Sequence, residues 1–104
     1  MKFSVIYITA KNKEEALKIG KELVETRLAA CVNIIDNMKS IYRWQGRIEY
    51  DSEVIIIAKT KESLVKKLID KVKSTHSYSC PCIVSLPISC GNKDYLDWIG
   101  KETI

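Results

Sequence analysis

The chain has 104 residues, 46% of them hydrophobic and 29% charged, with a formal net charge of +4 at pH 7. This balance suits one domain, residues 1–104, with a single small core, and it excludes both a disordered chain and a scaffold that needs disulfides. No apolar run approaches the roughly 20 residues required to span a bilayer. The basic residues are scattered over two helices and a hairpin, not gathered into the basic-aromatic stripe of a nucleic-acid face.

Lys2 to Thr9 is apolar on both faces and rich in β-formers, which predicts a central strand. Its apolar segment, Val5 to Ile8, is too short for a secretory core, so a cytoplasmic protein is expected. Asn12 followed by Glu15 reads as a helix N-cap with its capping-box partner. Ala16, Leu17, Gly20, Leu23 and Val24 then trace a helical stripe that ends near Arg27. Leu28 to Ile35 is the second strand, with an irregularity at Asp36-Asn37.

The strand resumes into a hairpin whose turn is Gln45-Gly46, where glycine supplies the positive φ of a tight turn. Before the turn Met38, Tyr42 and Trp44 recur with period two; after it Ile48, Tyr50, Val54, Ile56 and Ala58 do so. The second arm, Arg47 to Thr60, contains no Pro or Gly and would reach roughly 45 Å as one strand. A domain of this size has a radius of gyration of about 13 Å, so the arm must overhang its own core. Near the turn Arg47, Glu49, Asp51 and Glu53 predict a polar face, and Trp44, Ile48 and Tyr50 an apolar one. An apolar face on a projecting arm is expected to be a subunit contact.

Thr60 is placed to cap a second helix with Leu64, Val65, Leu68, Ile69 and Val72 buried. Ser74 to Ser79 is a polar loop. Pro81 opens a last strand, Cys82 to Ile88, which belongs at a sheet edge because proline cannot donate to a ladder. Asn92 caps a short final helix. The order β-α-β-β-α-β plus a terminal helix predicts an α+β fold, ferredoxin-like, with an antiparallel sheet in the order 4-1-3-2 and a long hairpin between its second and third strands.

That fold serves many functions, so the residues must decide. The glycines are too dispersed to form the phosphate cradle of an acylphosphatase-type hydrolase. Cys31, Cys80, Cys82 and Cys90 lack Cys-x-x-Cys spacing, and free thiols in a reducing compartment are expected. Cys82, Val84, Leu86, Ile88 and Cys90 form an alternating apolar row, which predicts buried small side chains.

Taken together, Arg27-Leu-Ala-Ala-Cys-Val-Asn-Ile34, Ser40-Ile-Tyr-Arg-Trp-Gln-Gly46, His76-Ser-Tyr-Ser-Cys-Pro81, Leu86-Pro-Ile88 and Tyr95-Leu-Asp-Trp-Ile99 resemble the CutA divalent-cation tolerance proteins, in order and over nearly the whole chain. The resemblance implies a non-enzymatic homotrimer with long hairpins wrapping between subunits, associated with tolerance to copper and other divalent cations. Two segments depart from the family pattern. Its usual His-Pro-Tyr is His76-Ser77-Tyr78 here, and its usual Pro-Glu-[Ile/Leu] is Pro81-Cys82-Ile83, so a thiol replaces a carboxylate near the proposed metal site. Some members carry Cys where this chain has Ile8 and His where it has Thr75, leaving His76 and Cys31 as the matching ligand-type positions.

The candidate metal ligands are therefore His76, Cys31 and Cys82, a soft thiolate-imidazole set suited to Cu(I) or Zn(II). Lys59 precedes a helix N-terminus and, with Tyr78, could line a cleft for a small anion between subunits. A ligand-sensing trimer similar in logic to the PII signalling proteins is the alternative to a metal-binding one.

Overall fold

The computed structural model describes residues 1–104. Its elements are β1 (Phe3–Ala10), α1 (Lys13–Glu25), β2 (Cys31–Trp44), β3 (Arg47–Lys61), a single 3₁₀ turn (Glu62–Leu64), α2 (Val65–Thr75), β4 (Ile83–Pro87) and α3 (Lys93–Glu102). The sheet is antiparallel throughout, in the order β2-β3-β1-β4. The expected α+β ferredoxin-like arrangement is the one found. β1 and β3 are central, and the short strand that follows Pro81 is an edge.

Helices α1 and α2 cover one face of the sheet. Ile6 and Ile8 of β1 and Val54, Ile56 and Ala58 of β3 point into it, against Ile19 and Leu23 of α1 and Leu68 and Val72 of α2. Truncating a fully buried side chain such as Leu68 to Ala costs about 2–5 kcal/mol. Gly20 lets α1 sit close to the sheet, since a Cβ there would lie 2.9 Å from Val32 Cγ1. Asn12 caps α1 as expected, accepting from Glu15 N at 2.8 Å, and Glu15 Oε1 accepts from Lys11 N at 3.1 Å. Helix α3 covers one end of the opposite face, where Ile99 packs with Phe3 and Ala30.

Thr60 does not cap a helix. It is the last buried residue of β3, and its hydroxyl donates to the Leu28 carbonyl at 2.6 Å. A 3₁₀ turn then intervenes, and α2 starts without a side-chain cap. Leu28 to Ala30 form a connector and not the start of β2, because Arg27 adopts φ 60° and turns the chain out of α1.

The hairpin projects as expected. β3 runs unbroken for 15 residues, the molecule extends 44 × 25 × 23 Å, and its radius of gyration is 14.1 Å. Gln45 and Gly46 both take positive φ (51° and 79°), which is the twist-matched turn of a two-residue hairpin. The irregularity at Asp36-Asn37 is a β-bulge. Ile35 pairs with Ile55 but Met38 pairs with Glu53, so β2 gains one residue, and Asn37 sits at φ 62°.

The bulge corrects the expected face assignment of the arm. An extra residue reverses the side-chain alternation of everything beyond it. Met38, Ser40, Tyr42 and Trp44 consequently share a face with Glu53, Asp51, Glu49 and Arg47, and Trp44 lies opposite Ile48 and Tyr50, not beside them. Both faces of the arm carry large exposed apolar side chains: Ile41, Ile48 and Tyr50 on one, Tyr42 and Trp44 on the other.

The row expected to be buried on the last strand is also corrected. Val84 and Leu86 pair with Tyr7 and Val5 on the face away from α1 and α2, and they are 48% and 55% exposed. Cys82 is exposed with them, because no helix covers that part of the sheet within one chain; Cys90 is exposed beyond the strand, and Ile88 is half-buried against Phe3 and Ile99.

Candidate functional site

The bulge and the loop after α2 together build an open groove of about 490 Å³ on the uncovered face, running from the root of the arm along it to Trp44 beside the turn. Tyr7, Tyr42, Trp44 and Tyr78 contribute rings; Asp51 and Glu53 contribute carboxylates; Cys80 and Cys82 contribute thiols. Tyr42 and Trp44 reach this groove only through the reversal of alternation at Asn37, which turns them towards the carboxylates of β3.

The loop is held at both edges. His76 uses both ring nitrogens: Nε2 lies 2.7 Å from the Thr9 carbonyl, and Nδ1 lies 3.1 Å from Tyr78 N–H. Those partners define the neutral tautomer with the proton on Nε2, since the carbonyl can only accept and the amide can only donate. Glu15, having closed its own capping box with Oε1, accepts from Ser77 N through Oε2 at 2.9 Å. Partial burial disfavours its charge, but the hydrogen bonds from Ser77 and Lys11 outweigh this, so its carboxyl is held below the usual range.

Tyr78 donates to Glu53 at 2.8 Å, and Tyr42 donates to Asp51. Desolvation first, then the bond to Glu53, push the Tyr78 phenol strongly upward. The bond to Asp51 is the main reason that the Tyr42 phenol is pushed up to about 12. Burial, with Cys82 and Glu53 nearby, also raises Tyr7, whose hydroxyl contacts Met38 Sδ at 3.3 Å. The Cys82 thiol is pushed up chiefly by desolvation, against a hydrogen bond with Thr9.

The sequence-derived residues fall into two places. His76, Tyr78 and Cys82 gather around Thr9 at the groove. Cys31 and Lys59 face each other across β2 and β3, where Lys59 Nζ donates to Asn33 Oδ1 at 2.7 Å, lies 4.0 Å from Cys31 Sγ and sits 5.8 Å from the Tyr95 ring centre. Lys59 is six residues along β3 from Glu53, the partner of Tyr78, or about 20 Å at the rise of an extended strand. One chain thus does not bring Lys59 to Tyr78, or Cys31 to His76. Nor do three or more His, Cys, Asp or Glu side chains converge on a point that could hold a metal ion. A closed coordination shell does not fit the donors of one chain.

Sequence reasoning missed Glu53, Asp51 and Tyr42 as parts of a site. The signal was the pair Asp36-Asn37, whose asparagine tolerates a positive φ and so permits the bulge.

The profile of the CutA1 divalent ion tolerance protein family matches residues 4–102. The chain belongs to the CutA1 family. It is 48% identical to the "Divalent-cation tolerance protein CutA" of Thermus thermophilus, over 95% of this chain and 96% of that one. It is 39% identical to "Protein CutA, chloroplastic" of Arabidopsis thaliana over 95% of this chain, but that alignment spans only 54% of the plant protein. Among solved structures it resembles the "Periplasmic divalent cation tolerance protein CutA" of Archaeoglobus fulgidus at a TM-score of 0.94, with 46% identity over 96% of this chain and 97% of that one. The names of these relatives indicate no enzyme and place CutA proteins in more than one compartment. No helix of this chain is long and apolar enough to cross a membrane.

Proposed function

We propose that this CutA1-family chain acts as a non-enzymatic, cytoplasmic homotrimer that binds copper or another divalent or soft transition metal as its cargo. The observation that carries the metal reading is the groove wall on which the two thiols Cys80 and Cys82 lie. Thiol donors favour Cu(I) and Zn(II) over hard cations. His76 could join such a set only by giving up its bond to Tyr78 N–H. Cys31 could join only from another subunit, and an anion cleft shared by Lys59 and Tyr78 would likewise have to form between subunits.

Assembly is supported by exposed apolar side chains on both faces: Val84, Leu86 and Ile35 on the open face of the sheet, and Ile48 and Tyr50 on the other face of the arm. Monomeric proteins rarely leave such an area open to water. Equilibrium dialysis of the reduced protein against Cu(I), Cu(II) and Zn(II), with light scattering on the same samples, tests both parts. Retention of Cu(I) by the wild type and its loss in Cys82→Ser is the expected result. Metal retention unchanged in Cys82→Ser removes the thiol site, and a stable single chain by light scattering removes the trimer.

A further inference from the structure

We infer that the two faces of the arm dock on one another between copies of this chain, the acidic face of one arm receiving Lys39 and Arg43 of the next copy. This rests on the homotrimer reading and names the surfaces that meet within it.

Cross-strand pairing sorts the charges of the arm by face. Beyond the bulge Lys39 pairs with Ser52 and Arg43 with Ile48, so both cations stand on the face of Ile41 and Tyr50. Lys39 Nζ donates to Ser52 Oγ at 2.8 Å across that face. Within residues 39–52 no carboxylate shares it. The opposite face carries Arg47, Glu49, Asp51 and Glu53. Arg47 lies 3.9 Å from Glu49, and the other ion pairs of the chain involve neither Asp51 and Glu53 nor Lys39 and Arg43. One arm thus shows two unmatched anions on one face and two unmatched cations on the other.

The anions are held ready for a donor. Tyr42 and Tyr78 each occupy one carboxylate oxygen, Oδ2 of Asp51 and Oε2 of Glu53, and the other oxygen of each has no donor within the chain. Both faces also expose large apolar side chains, Tyr42 and Trp44 beside the anions, Ile41, Ile48 and Tyr50 beside the cations. Each face therefore calls for a cover.

The charges select the cover. A twofold contact sets the same face of two arms together, acid against acid or base against base, and like charges repel. Opposite faces brought together bury the apolar side chains and match the charges at once. Such a contact is heterologous: each copy offers one face to one neighbour and the other face to a second, and the contacts close as a ring. Three copies make the smallest such ring.

The test follows the full chain, reduced and with a metal chelator present, by sedimentation velocity over a dilution series. Lys39→Glu with Arg43→Glu reverses one face, and Asp51→Lys with Glu53→Lys reverses the other. Each double variant should weaken assembly about tenfold or more, because like charges then meet. The variant with all four substitutions restores opposite charges and should assemble nearly as the wild type does, a rescue that a merely structural role of these residues would not give. Wild-type assembly should weaken as salt is raised. Asp51→Asn with Glu53→Gln keeps an acceptor for each phenol and should weaken assembly less than reversal does, with far-ultraviolet circular dichroism retained; this variant decides the matter if the reversed ones do not fold. Wild-type assembly in the neutral and reversed double variants, or no rescue in the fourfold variant, overturns this inference and leaves the trimer standing. A single chain or a twofold dimer for the wild type overturns both.

Discussion

His76 and Thr9 are joined from imidazole Nε2 to the backbone carbonyl at 2.7 Å, and this bond pins the loop after α2 to the end of the central strand β1. Because Nδ1 accepts from Tyr78 N–H at 3.1 Å, the one histidine of the chain works first as a clip. It sets the position of Tyr78, and Tyr78 sets that of Glu53 at the groove.

His76→Ala should therefore destabilise the metal-free protein, by about 1–3 kcal/mol for two lost hydrogen bonds at a half-buried site. Urea unfolding in the presence of a chelator would show a lower midpoint at unchanged slope. An unaltered midpoint would remove the clip role.

Glu15 ties the start of α1 to the same loop, and its carboxyl is held below the usual range. A carboxylate whose folded-state pKa is depressed contributes stability above its unfolded value, near 4.3, and loses that contribution as pH falls through the folded value. The melting temperature of the wild type should accordingly drop on acidification below about pH 4.3. In Glu15→Gln that limb should be shallower, as thermal melts at stepped pH would reveal.

At Gly20 two effects compete. Alanine is favoured over glycine in a helix by about 1 kcal/mol, but its methyl would meet Val32 Cγ1 at 2.9 Å, a branched side chain on the sheet that cannot swing aside. Overpacking of this kind costs about 1–3 kcal/mol. Gly20→Ala should be neutral to destabilising by about 2 kcal/mol, and a gain in stability would mean that α1 can lift from β2 freely.

The Tyr42 phenol should titrate at about 12 in an ultraviolet absorbance titration. Its main cause is the bond to Asp51, so Asp51→Asn should bring it back towards the ordinary tyrosine value of about 10. A phenol that titrates ordinarily in the wild type would show that the two side chains do not meet in solution.

Ile48 and Tyr50 are 55% and 73% exposed on the arm of a single chain, so replacing them should leave the subunit fold intact. If they are covered in an assembly, Ile48→Asp with Tyr50→Asp should shift the protein to smaller species in light scattering while its far-ultraviolet circular dichroism is retained. Assembly unchanged by both substitutions would place the contact elsewhere.

What the sequence determined by itself was the set of elements, because each is written in local terms. Asn12 and Glu15 form the capping box, Gln45-Gly46 make the turn, period-two runs mark the strands, and Pro81 assigns the edge. It also carried the family, through segments spread over nearly the whole chain. Tertiary structure alone decided which residues meet. One added residue at Asp36-Asn37 moved Trp44 and Tyr42 onto the carboxylate face, since alternation counts residues and a bulge shifts the count. Thr60 went to the Leu28 carbonyl and not to a helix, and His76 spent both nitrogens on backbone groups far from it or folded back beside it. Those partners are chosen by burial and distance in three dimensions, which the order of residues along one strand does not record.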